Sequence, residues 1–257
     1  MGKINYISCH PQLHGEETFS GGACTMKERF LLSATIFVLL FPALSWAAPA
    51  RPGAYVSGFI GATVPRDTTV NSSQFSSTGT LQNFTDEVTF DPGINIGGTG
   101  GYDFGYLRLE GELSYKYSEI KTITDTADGF RFGNPDGNVG VFAVMGNAFI
   151  DLHNESPITP YLGGGVGFAN IHLSDTFGTD ISTGTPDRPL LYAEDDDTVF
   201  AYQAGAGIGI ALNRRLTLDI GYRYFGTSKA RFGQGFDPTT EFKYQSHNAA
   251  VGVRVKF

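Results

Sequence analysis

A chain of 257 residues with a formal charge of −8 and a pI near 5.0 is long enough for one large domain or two small ones. The acidity argues against a nucleic-acid partner held through phosphate contacts. A content of 41% hydrophobic and 17% charged residues rules out a disordered tail, and Gly 34, Phe 21 and Tyr 12 are high against Cys 2 and Met 3.

Residues 1–25, "MGKINYISCHPQLHGEETFSGGACT", have no periodicity and read as an unstructured extension from an upstream start, with Met26 as the alternative start. Cys9, His10, His14 and Cys24 lie here, but their spacing matches no standard zinc site. From Met26 the pattern changes: Lys27 and Arg29 precede the apolar run Phe30–Phe41, and Ser45 and Ala47 supply the small residues of a cleavage site. The run is too short to span a ~30 Å hydrocarbon core as a helix, so residues 26–47 are expected to be a cleaved signal peptide rather than a retained anchor. Its removal takes away both cysteines and equal numbers of basic and acidic residues, so the acidity belongs to residues 48–257.

That remainder reads as a single domain of strands. Period-two segments run over 54–64, 93–102, 106–117, 138–152, 158–173, 198–212, 216–225 and 242–257, eight in all, and no helix is expected. The third is the clearest: Leu107, Leu109, Leu113, Tyr115 and Tyr117 share one face, and Arg108, Glu110, Glu112, Ser114 and Lys116 the other. In the last, Phe242 and Tyr244 fall out of phase with Val251, which suggests a bulge near His247. Short connections ("DFG", "HNESP", "NRR") alternate with long ones at 65–87, 118–137, 174–197 and 226–241. Turns at one end and long loops at the other describe a membrane β-barrel, an all-β, antiparallel fold that satisfies its own backbone groups. Tyr55, Tyr102, Tyr106, Tyr115, Tyr117, Tyr161, Tyr222 and Tyr224 lie near the strand ends, where interfacial girdles form. Glycines alternate at 163, 165 and 167 and at 205, 207 and 209, which clears one face of a strand and lacks the strand–turn–helix setting of a nucleotide loop.

"VFAVMGNAFIDL", "ITPYLGGGVGFANI" and "DTVFAYQAGAGIGIALNRRLTLDIGYRYF", with the terminal Phe257, resemble the opacity-like outer-membrane β-barrels. That family is similar to the membrane domain of outer membrane protein A and to rickettsial-type major surface antigens. The resemblance runs from Gly53 to Phe257. It implies an eight-stranded barrel in the cell outer membrane, with short periplasmic turns and four longer outer loops that meet host, environment or other cells. It also implies that Phe257 is the signal read by the outer-membrane assembly machinery. No further domain for cell-wall tethering is expected after Phe257.

With the apolar face toward lipid, Arg108, Glu110, Glu112, Lys116, Asp219, Arg223, Arg254 and Lys256 are expected to form a luminal charge network. Buried charges must pair or meet water, and an eight-stranded barrel has room for little beyond side chains. Such a network is either a rigidifying plug or a narrow ion path. Two weaker readings are a cation site in the acidic run Glu194–Asp197 and a catalytic pair at His172 and Ser174. The first lacks an ordered ligand pattern; in the second, Asp175 stands where the lipid A deacylases carry Asn, and His247 beside Asn248 is a similar lone pairing. The expectation is a structural, interfacial surface barrel without cofactor, with a low-conductance channel as the alternative and a lipid-modifying enzyme third.

Overall fold

A computed structural model describes residues 52–75, 78–126, 129, 131–133, 135–153, 156–180, 188, 190–233 and 239–257. The expected start extension, the expected signal peptide and the Cys9, His10, His14 and Cys24 set lie outside them. No described residue is helical.

Fourteen strands follow one another: β1 (Gly53–Pro65), β2 (Thr68–Phe75), β3 (Leu81–Phe90), β4 (Gly93–Asp103), β5 (Leu107–Asp125), β6 (Arg131–Gly133), β7 (Asn138–Asp151), β8 (Ile158–Leu173), β9 (Thr176–Phe177), β10 (Thr179–Asp180), β11 (Leu190–Tyr192), β12 (Asp195–Ala211), β13 (Leu216–Phe232) and β14 (Thr239–Lys256). Eight of them close a ring, all antiparallel: β1 pairs β4, then β5, β7, β8, β12, β13 and β14, and β14 returns to β1. Sequential neighbours joined in a circle leave no open edge within the ring.

Three short turns close one end of the ring. In the first, Asp103 Oδ1 accepts the Gly105 N–H at 2.7 Å, and Gly105 takes a left-handed φ of 108°. In the third, Asn213 Oδ1 accepts the N–H groups of Arg215 and Leu216. At the opposite end the long connections are not plain loops. β2 and β3 form a hairpin inside 65–87, β5 runs on to Asp125, β13 to Phe232, and β14 begins at Thr239. Their polar, hydroxyl-rich sequence hides the strands, because the stabilising contacts are cross-strand hydroxyl pairs such as Ser73–Thr239 at 2.5 Å and Thr89–Thr122 at 2.6 Å.

The expected bulge near His247 is absent. β14 alternates without a break, with Phe242, Tyr244, Ser246, Asn248 and Arg254 all facing in. The register shift lies in β13, between Gly226 and Lys229. What changes along β14 is polarity, not phase. Below His247 the outward residues are Ala249, Val251 and Val253 and the inward ones polar; above it Lys243 faces out while Phe242 and Tyr244 face in. The exterior solvent switches from lipid to water at that level, and the interior inverts with it.

β5 shows the same boundary. Leu107, Leu109, Leu113 and Tyr115 are exposed outward, followed by Glu119 and Lys121, so the lipid-facing run covers the ~9–11 residues a tilted spanning strand needs. Inward, the sequence passes from Arg108 through Lys116 to Ile120 and Ile123. The interior therefore has two layers. A polar one occupies the spanning half; an apolar core of Val70, Val88, Ile120, Val139, Ile171, Phe225, Phe232, Phe242 and Tyr244, among others, fills the half toward the long connections.

Candidate functional site

The polar layer is the cluster of chemistry-bearing side chains on which a function could rest. Alternation puts every second residue of each strand inside, and Arg108, Glu110, Glu112, Lys116 and Arg254 are buried there. Glu112 is the hub: it meets a guanidinium nitrogen of Arg223 and accepts bonds from Asn147 Nδ2 and Gln203 Nε2, each at 3.0 Å. Arg223 also lies 3.6 Å from Glu110, whose other oxygen accepts the Tyr55 hydroxyl at 2.6 Å. Nearer the short turns, Arg254 grips Asp219 through Nε at 3.0 Å and Nη2 at 2.5 Å. Lys256 reaches Asp103 at 2.6 Å, and Arg108 reaches Asp151 at 3.4 Å. Lys116 donates to Ser114 at 3.1 Å and lies 4.1 Å from the centre of the Phe225 ring, where the two layers meet.

Asp103 and Asp151 were not among the eight residues named from sequence. Asp151 lies on the same strand face as Asn147 and Asp103 closes a turn, so their phase was readable, but only the ring closure gives them partners. With them the network holds five cations and five carboxylates, which balances the charge of a volume with little water.

Tyr55 and Tyr161, expected in the girdle, point inward instead and are 2% and 7% exposed. Both stand in the inward phase of their strands, and with Phe149 they enclose the Arg108 guanidinium at 4.7 to 5.9 Å from the ring centres. Tyr102, Tyr106, Tyr115 and Tyr222 do face outward. The alternating glycines explain how so much fits. A Cβ on Gly165 would stand 2.0 Å from Asn147 Oδ1, one on Gly207 2.5 Å from the Tyr161 hydroxyl, and one on Gly205 2.8 Å from Arg223 Cγ. The remaining cavity, bordered by Asn95, Arg108, Glu110, Asp219, Asn248 and Arg254, is about 40 Å³, room for a few waters at most.

The other candidates are dispersed. His172 Nε2 lies 3.7 Å from Glu194 Oε1, while Ser174 Oγ accepts the Asn138 N–H at 2.8 Å. His247 meets the Tyr222 hydroxyl at 2.6 Å on the outer surface, and Asn248 faces inward to Ser246 and the Arg223 carbonyl. In the acidic run, Asp195 and Asp197 accept the N–H groups of Gly233 and Arg231, and Asp196 accepts Asn170 Nδ2. The carboxylates thus cap β13 and a strand face, and among the described residues no group of three or more His, Cys, Asp or Glu could hold a metal. At the long-connection end, the Tyr192 hydroxyl donates to Asp86 at 2.8 Å, tying β11 to the β2–β3 hairpin. Burial raises the Asp86 pKa; the Tyr192 bond opposes this and the neighbouring Asp125 adds to it.

Phe257, placed at the end of β14, is 79% exposed, and its N–H donates to the Ala54 carbonyl at 3.0 Å.

Relatives carry the same frame. Outer membrane protein PagN of Salmonella typhimurium (strain LT2) is 29% identical over 205 residues, covering 76% of this chain and 83% of PagN. Opacity protein opA65 of Neisseria gonorrhoeae is 28% identical over 185 residues, covering 61% of this chain and 75% of opA65. The crystal structure of the outer membrane protein OprG from Pseudomonas aeruginosa superposes with a TM-score of 0.50 at 17% identity, covering 82% of this chain and 98% of OprG, a likeness of fold. The family model described as "Outer membrane protein beta-barrel domain" matches residues 33–257. The chain belongs to that family, and it is a β-barrel of the outer membrane.

Proposed function

We propose that this outer-membrane barrel is a structural and interfacial surface protein. Its spanning half is a plugged scaffold, and its strands extend past the membrane to present a contact surface to host or environmental ligands. The observation that carries this reading is the filled interior. A charge-balanced network occupies the lower layer and a continuous apolar core lies above it, so an ion would have to break both. The PagN and opacity relatives, both outer-membrane or opacity proteins by name, support a surface role. The 3.7 Å contact of His172 with Glu194 and the bond that Ser174 accepts from the Asn138 N–H support structural rather than catalytic duties for both residues. Targeting follows the same reading: residues 26–47 direct export and are cleaved near Ala47, Phe257 is recognised by the assembly machinery, and the apolar belt is solvated by outer-membrane lipid.

Planar-bilayer recording on the refolded protein tests the plug. The expected result is a silent, folded barrel. A steady conductance that vanishes on neutralising Glu110 and Glu112 would establish the channel instead.

A further inference from the structure

Just above the lipid-facing band, the outer wall carries a cluster of cations that the fold alone does not explain. β13 and β14 pair Lys229 directly opposite Lys243, and Arg231 opposite Glu241. Like charges set face to face across a ladder destabilise it. Glu241 relieves part of this, taking Arg231 at 2.9 Å and Lys229 at 3.3 Å, so one carboxylate anchors two cations. Lys243 has no carboxylate within ion-pair distance among the described residues. Arg66 joins from the adjacent edge, its N–H donated to the Gln245 carbonyl at 2.8 Å and its guanidinium turned to Gln245 Oε1 at 3.5 Å. Arg66, Lys229 and Lys243 border a depression of about 280 Å³ with Asp67 and Glu241, and Thr68 and Thr69 also line it. Three cations and two carboxylates thus border the depression, with Arg231 on the far side of Glu241, in a chain whose overall charge is −8.

Depth in the membrane identifies the partner. Two residues below Gln245 on β14 comes His247, bonded to Tyr222 and packed beside Tyr224, and below these lie Ala249, Val251 and Val253. Along β14, Gln245, which holds Arg66, stands two residues above His247, and Lys243, opposite Lys229, stands four, which at ~3.3 Å per residue puts these cations about 7 to 13 Å along the strand from the aromatic girdle. That is the level of the outer-leaflet headgroups, where basic pockets on membrane proteins meet lipid phosphates. We propose that this wall of β1, β13 and β14 is a docking site for the phosphates of the outer leaflet's glycolipid. A phosphate between Lys229 and Lys243 turns their repulsion into a shared contact, with Arg66 closing the depression from the side and the acyl chains lying along the apolar belt. The site is independent of whatever the outer strands contact beyond the membrane.

The test uses the whole chain refolded in zwitterionic micelles, with diphosphorylated lipid A as the probe and its dephosphorylated form as the control; retention is read by native mass spectrometry. The expected result is selective retention of the phosphorylated form, weakened at least about tenfold in the Arg66→Gln/Lys243→Gln double variant, from roughly 1 kcal/mol per basic residue near a lipid surface. Lys121→Gln, which removes an exposed lysine paired with Asp91 elsewhere on the wall, should leave retention unchanged. Because all three side chains are exposed, heat-dependent gel mobility should be that of the parent in every variant. Equal retention of the dephosphorylated lipid, equal retention by the double variant, or an equal loss in Lys121→Gln would overturn the proposal. Displacement of the lipid by millimolar inorganic phosphate would overturn the membrane source of the ligand.

Discussion

Glu112 meets Arg223, Asn147 and Gln203 at once, and each of these comes from a different strand. Replacing it with Ala leaves Arg223 with Glu110, at 3.6 Å, as its carboxylate partner and strips the acceptor from Asn147 Nδ2, while Gln203 Nε2 keeps Asn147 Oδ1 at 2.7 Å. A loss of about 3 kcal/mol is expected for breaking such a buried pair, measured as a lower urea midpoint for the barrel in lipid vesicles. The glycines give a paired test. A Cβ at Gly165 collides with Asn147 and the Gly146 carbonyl, whereas one at Gly100 meets nothing within 4 Å. Gly165→Ala should therefore depress folding yield, and Gly100→Ala should leave it unchanged; equal yields would refute the packing argument. The eight network residues could be named from alternation alone. Their pairing could not, because Arg254 with Asp219 and Lys256 with Asp103 are contacts across strands distant in sequence.

At the level of elements, the eight spanning strands were readable because lipid outside and charge inside give a strong period of two. Their extensions were not. β2 and β3 carry Thr, Ser, Asn and Gln on both faces, and nothing local separates such a hairpin from a polar loop. Tyr192 shows how tertiary contacts organise this region, since its hydroxyl holds Asp86 opposite Asp125. The Asp86 carboxyl, raised by burial, binds its proton more tightly folded than at the unfolded value of about 3.9. Its stabilising contribution is therefore complete below that value and is lost as pH rises through the folded one. Limited proteolysis of the outer strands should accelerate as the pH is raised from about 4, the unfolded carboxylate range. Asp86→Asn should flatten that dependence, and an unchanged slope in the variant would count against the assignment.

For the barrel as a whole, two interiors share one wall. Phe242 stacks on Phe232 at 5.2 Å inside the apolar layer, well above the charge network. Truncating Phe242 to Ala should cost about 3–5 kcal/mol locally. It should speed protease trimming of the outer extension while the heat-modifiable barrel band persists. Loss of both together would mean the layers are one cooperative unit.

The eight spanning strands, the lipid-facing set and the inward charges were decided by the sequence, because each rests on a period of two within one segment. The tertiary structure alone decided that Phe242 and Tyr244 stay in phase with Arg254, that Tyr55 and Tyr161 face the arginines, and that the long connections are strands. The physical reason is common to all three. A residue's side of the wall follows from local alternation, but what lies on that side, whether lipid, water, an ion pair or an apolar core, depends on its height in the barrel and on neighbours that only the closed ring brings together.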